Sequence, residues 1–474
     1  TRYIAVTGVQ TCALPIFLIL ISCAAALILC PPTLAADPPI RADEADQSAP
    51  DLPENATLRE ALAHAALNNR GLEAVFQGWK AELEREPQVT ALPDPQFTYR
   101  YFIERVETRV GPQRQAFGLA QRLPWFGKLG LRGEMASESA RAAYQEYRAE
   151  KLRLFHEVKA AWAEYVLWSR SLTLLREERD LIRHIESVAR AQYRAGTAQH
   201  ADVIRAQVEM GRIEDRTRSL EELGAAILAR LNAALNRPPD APLQPAQAFP
   251  SELLLLSDDE VLKQLAESNP TLIALDHETK RREHAIALAR KQYWPDVTLG
   301  VEYIDTGNAR GMAPRRSGRD PIIARVGVNL PIWWHKYDAG VREAKARRLA
   351  AARNREEREN ALESEVKMAL YAIHDAARKI DLYRDTLIPK AREALKVTES
   401  GYRAGTSSFL DLLDAERALL EFKLALEAAL ARHVERVAAL EMLVGKELAT
   451  PAEELDVRSD NDAEGDVDEA EETP

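Results

Sequence analysis

Two spacings of apolar residues divide this chain. Over most of its length, Ala, Leu, Ile and Val recur at helical intervals among Glu, Lys and Arg. Such stretches run from about 131 to 191, 201 to 236, 337 to 400 and 409 to 445, with one interruption at Pro389. Roughly 60 helical residues at about 1.5 Å each reach some 90 Å. Val366, Ile373, Ile380 and Leu387 lie seven apart, the mark of a coiled-coil seam. A shorter helix is predicted over Leu58 to Glu86, with Leu58, Leu62, Ala65 and Ala66 on one face. In four places the period becomes two, which predicts strands. Phe97, Tyr99 and Tyr101 alternate with Thr98 and Arg100; Phe117, Leu119 and Leu123 with Gly118, Ala120 and Arg122. Val297, Leu299, Val301 and Tyr303 alternate with Asp296, Thr298 and Glu302; Ala324, Val326, Val328 and Leu330 with Arg325 and Asn329.

The same order of elements occurs twice. Tyr193-Arg194-Ala195-Gly196-Thr197, with Asp202 beyond it, returns 209 positions later as Tyr402-Arg403-Ala404-Gly405-Thr406 with Asp411. Each copy interrupts a long helical pattern with a Gly, which turns a chain sharply at a helix end. Each therefore predicts the tip of a long helical hairpin. Asn69 to Leu72 answers to Asn269 to Leu272, Pro93-Asp94 to Pro295-Asp296, and Leu123-Pro124-Trp125 to Leu330-Pro331-Ile332. The chain is one unit repeated, not a string of unrelated domains.

Each predicted strand is about ten residues long, the length that crosses a bilayer when tilted, and has one apolar and one polar face. An ordinary half-buried sheet has the same alternation. Trp125, Trp333 and Trp334, at strand ends, suit either an interfacial aromatic belt or a buried core. Four strands cannot close a membrane barrel, whereas three chains contribute twelve. The helices carry too much charge to cross lipid and must stand in water.

Composition changes the picture at the two ends. Formal net charge is −11, yet from Pro451 onward there are eleven Asp or Glu against Arg458 alone, so the body is nearly neutral. Without a basic patch, a nucleic-acid partner is not expected. All three cysteines, Cys12, Cys23 and Cys30, precede residue 31. The apolar run Ile16 to Cys30, followed by small residues near Ala36, predicts a cleaved signal peptide. Leu20-Ile21-Ser22-Cys23 also matches a lipoprotein box that would acylate Cys23, although the apolar run beyond it argues against that. The opening Thr1–Phe17 lacks a basic start and resembles an assembly leader. The expected division is a leader and signal peptide over 1–36, an extended lead-in over 37–54 and a first repeat over 55–237. A Pro-rich linker over 238–256, a second repeat over 257–446 and a disordered acidic tail over 447–474 follow.

Catalytic or cofactor chemistry finds little support. His277 and His284 lie seven apart beside Glu283, but with no further ligand at closing distance they predict a solvated helix face. There is no H-E-x-x-H, C-x-x-C or phosphate-cradling loop, and the five methionines are scattered. No enzyme activity, cofactor or bound metal is expected. Asp202 and Asp411 follow the tips closely enough to be helix caps. Asp414 lies a turn further on, beyond capping reach.

A signal peptide, two helix–strand–strand–hairpin repeats and twin Y-R-A-G-T tips with Asp six beyond the Gly resemble the TolC-type outer-membrane efflux channel family, over about residues 55 to 446. The resemblance implies a mainly α protein with a β membrane part. Three chains would form a twelve-stranded outer-membrane barrel continuing into a periplasmic barrel of helices. It implies partners as well: two further copies, outer-membrane lipid, a periplasmic membrane-fusion adaptor and an inner-membrane pump of the RND type. Asp411 and Asp414 fall where the family places acidic rings, with Asp202 and Tyr402 beside them at the periplasmic gate. Tyr193, Arg194, Gly196, Thr197, Arg403, Gly405 and Thr406 fall in the tips that the adaptor grips. Some members latch the closed mouth with an Arg two residues after the second tip Gly. Here that residue is Ser407, which puts a latch of that type in doubt. The P-D-P run at Pro93–Pro95 and the P-W-F-G-K run at Pro124–Lys128 resemble those of heavy-metal-efflux members. The competing reading is a periplasmic coiled-coil scaffold without a pore.

Overall fold

The structure, a computed structural model, describes residues 52–245, 249, 252–254, 257–311 and 315–451. The cysteines, the lipidation candidate Cys23, the signal segment and the acidic run after 451 lie outside the described residues. The first half runs α1 (Leu58–Asn68), α2 (Arg70–Leu83), α3 (Arg85–Thr90), β1 (Gln96–Thr108), β2 (Gly111–Leu123), α4 (Lys128–Arg194) and α5 (His200–Ala234). After the short β3 (Glu252–Leu254), the second half runs α6 (Asp258–Ser268), α7 (Pro270–Lys291), β4 (Val297–Thr306), β5 (Ile322–Val328) and α8 (Trp334–Asp381). A π turn (Leu382–Leu387), α9 (Ile388–Ala404), α10 (Phe409–Val444) and β6 (Ala449–Pro451) complete it.

Both halves begin with the same local devices. Thr57 and Glu60 form a capping box before α1, and Ser257 and Glu260 form one before α6. Asn69 and Asn269 then end those helices in extended backbone, and the side chain of each accepts from the amide three residues on, at 2.9 Å in both cases. The single helix expected over Leu58 to Glu86 is therefore broken at Asn69, which serves as the cap of α2 rather than as a helical residue, and again at Glu84, just before α3 begins. At the other interruption, Pro389 sits in the first turn of α9, where its missing N–H costs nothing, and the turn before it widens to the π form.

The four long strands form one antiparallel sheet in the order β1-β2-β4-β5. The hairpin β1–β2 is 13 residues on each side, longer than its alternation suggested, since pairing resumes at Val106–Gln113 after an irregularity beyond Tyr101. Register aligns the apolar residues across all four strands. Phe97 faces Leu119, Leu119 faces Val301, and Val301 faces Ala324; Tyr99, Phe117, Tyr303 and Ile322 form the next row. Most of that face is exposed in the single chain, with Tyr101 at 66% and Val326 at 69%. On the opposite face Arg100 of β1 and Arg325 of β5 both pair with Glu302 of β4, so both edge strands are tied by charge to one middle strand. Among the described residues the outer edges of β1 and β5 have no neighbour.

A 67-residue α4 is the helix about which the others pack; at about 1.5 Å per residue it spans some 100 Å. Near its middle Leu154, Val158, Trp162 and Val166 bury against Ala61, Ala65 and Leu72 of the first half, and against Leu231 of α5. The second half has its own core, in which Val366 and Ile373 of the expected seam meet Val261, Leu265 and Val437. The Pro-rich stretch is docked rather than free. Tyr165 donates to the Leu243 carbonyl at 2.6 Å, and Asn232 donates to the carbonyls of Pro239 and Ala241. The first residues after 446 also pair: β6 joins β3 in a two-stranded sheet. The α4–α10 contact carries a buried ion pair, Lys159 with Glu441 at 2.6 Å.

At one crossing of α4 and α5 there is no spare room. A Cβ on Gly224 would lie 2.3 Å from Cζ2 of Trp168, whose indole N–H donates to the Leu220 carbonyl at 2.7 Å. Gly224→Ala is expected to lower stability by about 1–3 kcal/mol through overpacking. Adding Trp168→Phe, which removes the clashing ring, should recover part of the loss; additive losses in a melting series would show that the crossing is not so tightly packed.

Candidate functional site

The two Y-R-A-G-T stretches fold alike. Gly196 and Gly405 both have φ of 75°, the left-handed region open to glycine. Thr197 donates its amide (3.0 Å) and hydroxyl (3.1 Å) to the Gln192 carbonyl; Thr406 does the same to the Gly401 carbonyl, at 2.8 and 3.1 Å. Each Thr thus closes the end of the ascending helix by reaching five residues back. No atom lies within 4 Å of where a Cβ would sit on either Gly. The constraint on these glycines inside the chain is therefore conformational and not steric.

Their surroundings differ. Tyr193 is 46% exposed, with its ring near His200, whereas Tyr402 is only 7% exposed and packs edge-on to Phe409 at 5.4 Å. Tyr402 joins a cluster with Ile182, Ile185 and Ala189 of α4, Val203 and Ala206 of α5, and Leu412 and Leu413 of α10. That cluster ties the ends of both hairpins together. The Tyr402 hydroxyl has no hydrogen-bond partner. Burial, and then the carboxylate of Asp202 nearby, push its pKa upward. Two of the expected gate residues are thus neighbours. Arg194 points to solvent, and Arg403 pairs with Glu399 at 2.5 Å.

The three acidic positions separate by role. Asp411 closes a capping box: it accepts from the Ser408 amide at 3.0 Å and hydroxyl at 2.7 Å, and its own amide donates to that hydroxyl at 3.1 Å. The Ser408 hydroxyl and amide hold its carboxyl below the usual carboxylate range. Asp202 does not cap; Gln199 precedes α5 without a side-chain bond, and Asp202 pairs with Arg205 at 3.1 Å. Asp414 is exposed and has Arg417 at 3.4 Å. Arg417 also reaches Glu209 on α5 at 2.5 Å. The i,i+3 spacing of Asp414 and Arg417 is visible in the sequence; the partnership with Glu209, 208 positions away, is not.

At the other end of the helices a second cluster joins them to the sheet. Asp296 accepts from Lys128 at 2.8 Å, from Arg122 at 2.7 Å and from the Trp125 amide at 3.0 Å. Lys128 is 2% exposed and also donates to the Trp294 carbonyl at 2.9 Å. Burial raises the pKa of Asp296, but these donors together overcome it and hold the carboxyl at about 2. Trp125 stacks on Trp294 at 5.1 Å, nearly parallel, while Trp333 and Trp334 are about two-thirds exposed. Trp294 and Phe126, both exposed, extend this aromatic level and escaped the sequence reading.

His277 and His284 are not a solvated face. They turn toward α4, where His277 pairs with Glu138 and His284 with Glu134, at 2.7 and 2.8 Å. Sequence gave no sign of this, because the partner carboxylates come from another helix. Among the described residues no group of three or more His, Cys, Asp or Glu could hold a metal ion, and no helix is long and apolar enough to cross a membrane.

Residues 261–446 match the outer membrane efflux protein family. That match lies within the second half of the chain. The cobalt-zinc-cadmium resistance protein CzcC of Cupriavidus metallidurans is 23% identical over 400 residues, 82% of this chain and 90% of that protein. The outer membrane protein TolC of Vibrio cholerae is 22% identical over 318 residues, 66% of this chain and 72% of that one. The fold is similar to that of crystalline CusC, with a TM-score of 0.69, 19% identity, and 83% of this chain covering 92% of the other. The expected resemblance to TolC-type channels, with a helical part and a β part, thus holds for the fold.

The backbone of the tips can be tested directly. Gly405→Asn should keep the turn, since Asn tolerates positive φ, whereas Gly405→Val should cost about 1–2 kcal/mol locally. Hydrogen exchange at the Thr406 and Ser407 amides checks this: protection retained in the Asn variant and lost in the Val variant. Equal protection in both would remove the conformational explanation.

Proposed function

We propose that three copies of this chain form an export channel of the outer membrane, with a twelve-stranded barrel in lipid and a periplasmic conduit of helices. One observation carries this reading. A sheet with an exposed apolar face and two unpaired edges stands on the same chain as charged hairpins about 100 Å long. In lipid such edges must be paired, and an identical neighbour pairs β1 with β5 at no cost in new design. Arg100, Glu302 and Arg325 then line the aqueous side. A pore-free scaffold leaves the apolar rows without a purpose.

At the far end the tips are the periplasmic mouth. Tyr193, Arg194, Gly196, Thr197, Arg403, Gly405 and Thr406 are the surface offered to a periplasmic adaptor, which an inner-membrane pump of the RND type feeds. Asp411 and Asp414, repeated by threefold symmetry, give two tiers of carboxylates at the narrowest point, with Tyr402 and Asp202 packed beside them. Asp411 keeps its charge into mild acid because Ser408 stabilises the carboxylate. Export of heavy-metal cations is the cargo reading best supported, on the near full-length match to a cobalt-zinc-cadmium resistance protein.

The purified protein should be a trimer by mass in detergent and should give cation-selective single channels in planar bilayers. Asp411→Asn with Asp414→Asn should weaken selectivity roughly tenfold, as expected when paired carboxylate rings lose their field, while leaving the trimer intact. A folded monomer that passes no current would sink the channel; unchanged selectivity in the double variant would move the gate elsewhere.

A further inference from the structure

Just above the mouth, between the two hairpins, lies a pair of acids that the foregoing account does not use. Glu178 projects from α4 and Glu416 from α10; they are 5% and 1% exposed. Among the described residues neither carboxyl oxygen of Glu416 has a hydrogen-bond donor. The group that faces it is the carboxyl of Glu178. An ionised carboxylate buried with no donor is among the least favourable arrangements in a protein interior, and two facing each other are worse. A single proton between them removes both problems, because it supplies the missing donor and halves the charge.

We infer that Glu178 and Glu416 share one proton across the seam between the hairpins, and that its loss in alkaline medium loosens the periplasmic mouth. This rests on the channel reading for its functional half. The surroundings limit what else can neutralise the pair. From α10, Lys423 is the cation near both acids. Arg417, next to Glu416 in the chain, is engaged by Glu209 and Asp414. From α5, Glu209 adds negative charge and is itself occupied by Arg417 and Arg212. From α9, Glu399 adds more and pairs with Arg403. One nearby ammonium against two buried acids and two further carboxylates leaves the proton in place. Burial first, then the hydrogen bond and charge of Glu416, raise the Glu178 pKa to about 9.

The position links the pair to the gate. Glu416 is two residues beyond Asp414, an axial rise of about 3 Å, and Arg417 connects Asp414 to α5. Deprotonation sets two like charges against each other where α4 of one hairpin meets α10 of the other. Separation there drags Arg417, and Asp414 with it. The shared proton and the Arg417–Glu209 bridge hold this seam above the tip.

The sign for stability follows from the raised value. Unfolded, Glu178 titrates near 4.5; folded, near 9. The proton's contribution is complete below pH 4.5 and is lost progressively as pH rises through 9. Three measurements on the intact detergent-solubilised protein test the proposal. Infrared spectra should contain a protonated carboxyl band that persists at pH 7 and titrates near 9, and that is absent in Glu178→Gln and in Glu416→Gln. The wild-type melting temperature should fall between pH 7 and 10, while both Gln variants stay nearly flat. Single-channel open probability should rise at least about twofold over the same range in the wild type, as half the pairs ionise near the midpoint, and be constant in the variants. Absence of the band, or an identical pH response in wild type and both variants, overturns the shared proton. A titrating band with a pH-independent open probability overturns its role at the mouth. Protein that shows the band and the melting shift but never conducts refutes the channel while leaving the proton established.

Discussion

Everything in this molecule accommodates a four-stranded sheet that is incomplete by itself. Its register collects aromatic and branched residues on one face, and most of that face is left exposed by the described residues. Its two edge strands have unmade backbone hydrogen bonds, which hydrocarbon makes expensive to leave open. In the proposed trimer, lipid around the apolar face and identical strands at the edges would satisfy both demands together. The charged inner face, with Glu302 between Arg100 and Arg325, is then the side that meets water.

The helices meet a different difficulty. A 67-residue helix rich in Glu, Arg and Lys gains little from its own sequence and must be held by packing. The fold distributes that packing in separate clusters along α4 rather than in one core: with α1, α2 and the docked linker near its middle, and with the ends of both hairpins near its tip. On the α10 side Lys159–Glu441 lies level with the first of these clusters, and Arg170–Glu427 lies between the two. At the sheet end, Asp296 gathers Lys128, Arg122 and the Trp125 amide, so the strands and helices of both halves are fastened at one carboxylate. The P-W-F-G-K and P-D runs thereby acquire a structural meaning that their resemblance alone did not supply.

Duplication explains the symmetry of this design and also its departures. The capping boxes before α1 and α6, the Asn caps that follow, and the threonines that close both tips are the same local solutions written twice. The second copy alone buries its Tyr and forms a capping box after its turn. It is this second hairpin that carries the acids assigned to the gate. In the channel proposed above, this unequal use of equal motifs would let one hairpin form the constriction while the other supports it.

The sequence by itself determined the repeat, the four strands with their faces, the long hairpins and the left-handed turns at their tips. These follow from interactions within a few residues: a two-residue or 3.6-residue period, a Gly where φ must be positive, a Thr or Ser placed to close a helix end. Local chemistry also contained clues that were passed over, such as the Asn that splits the first helix at Asn69. What only the tertiary structure decided are the pairings between distant segments. Tyr193 and Tyr402 sit in identical five-residue stretches, yet one is exposed and the other buried. His277 and His284 find carboxylates on α4 in place of solvent. Arg417 meets Glu209, and Glu178 faces Glu416, across helices that approach only when both hairpins are folded. A residue's periodicity says which way it points along its own helix; what stands opposite depends on how that helix is laid against another, and no local pattern encodes it.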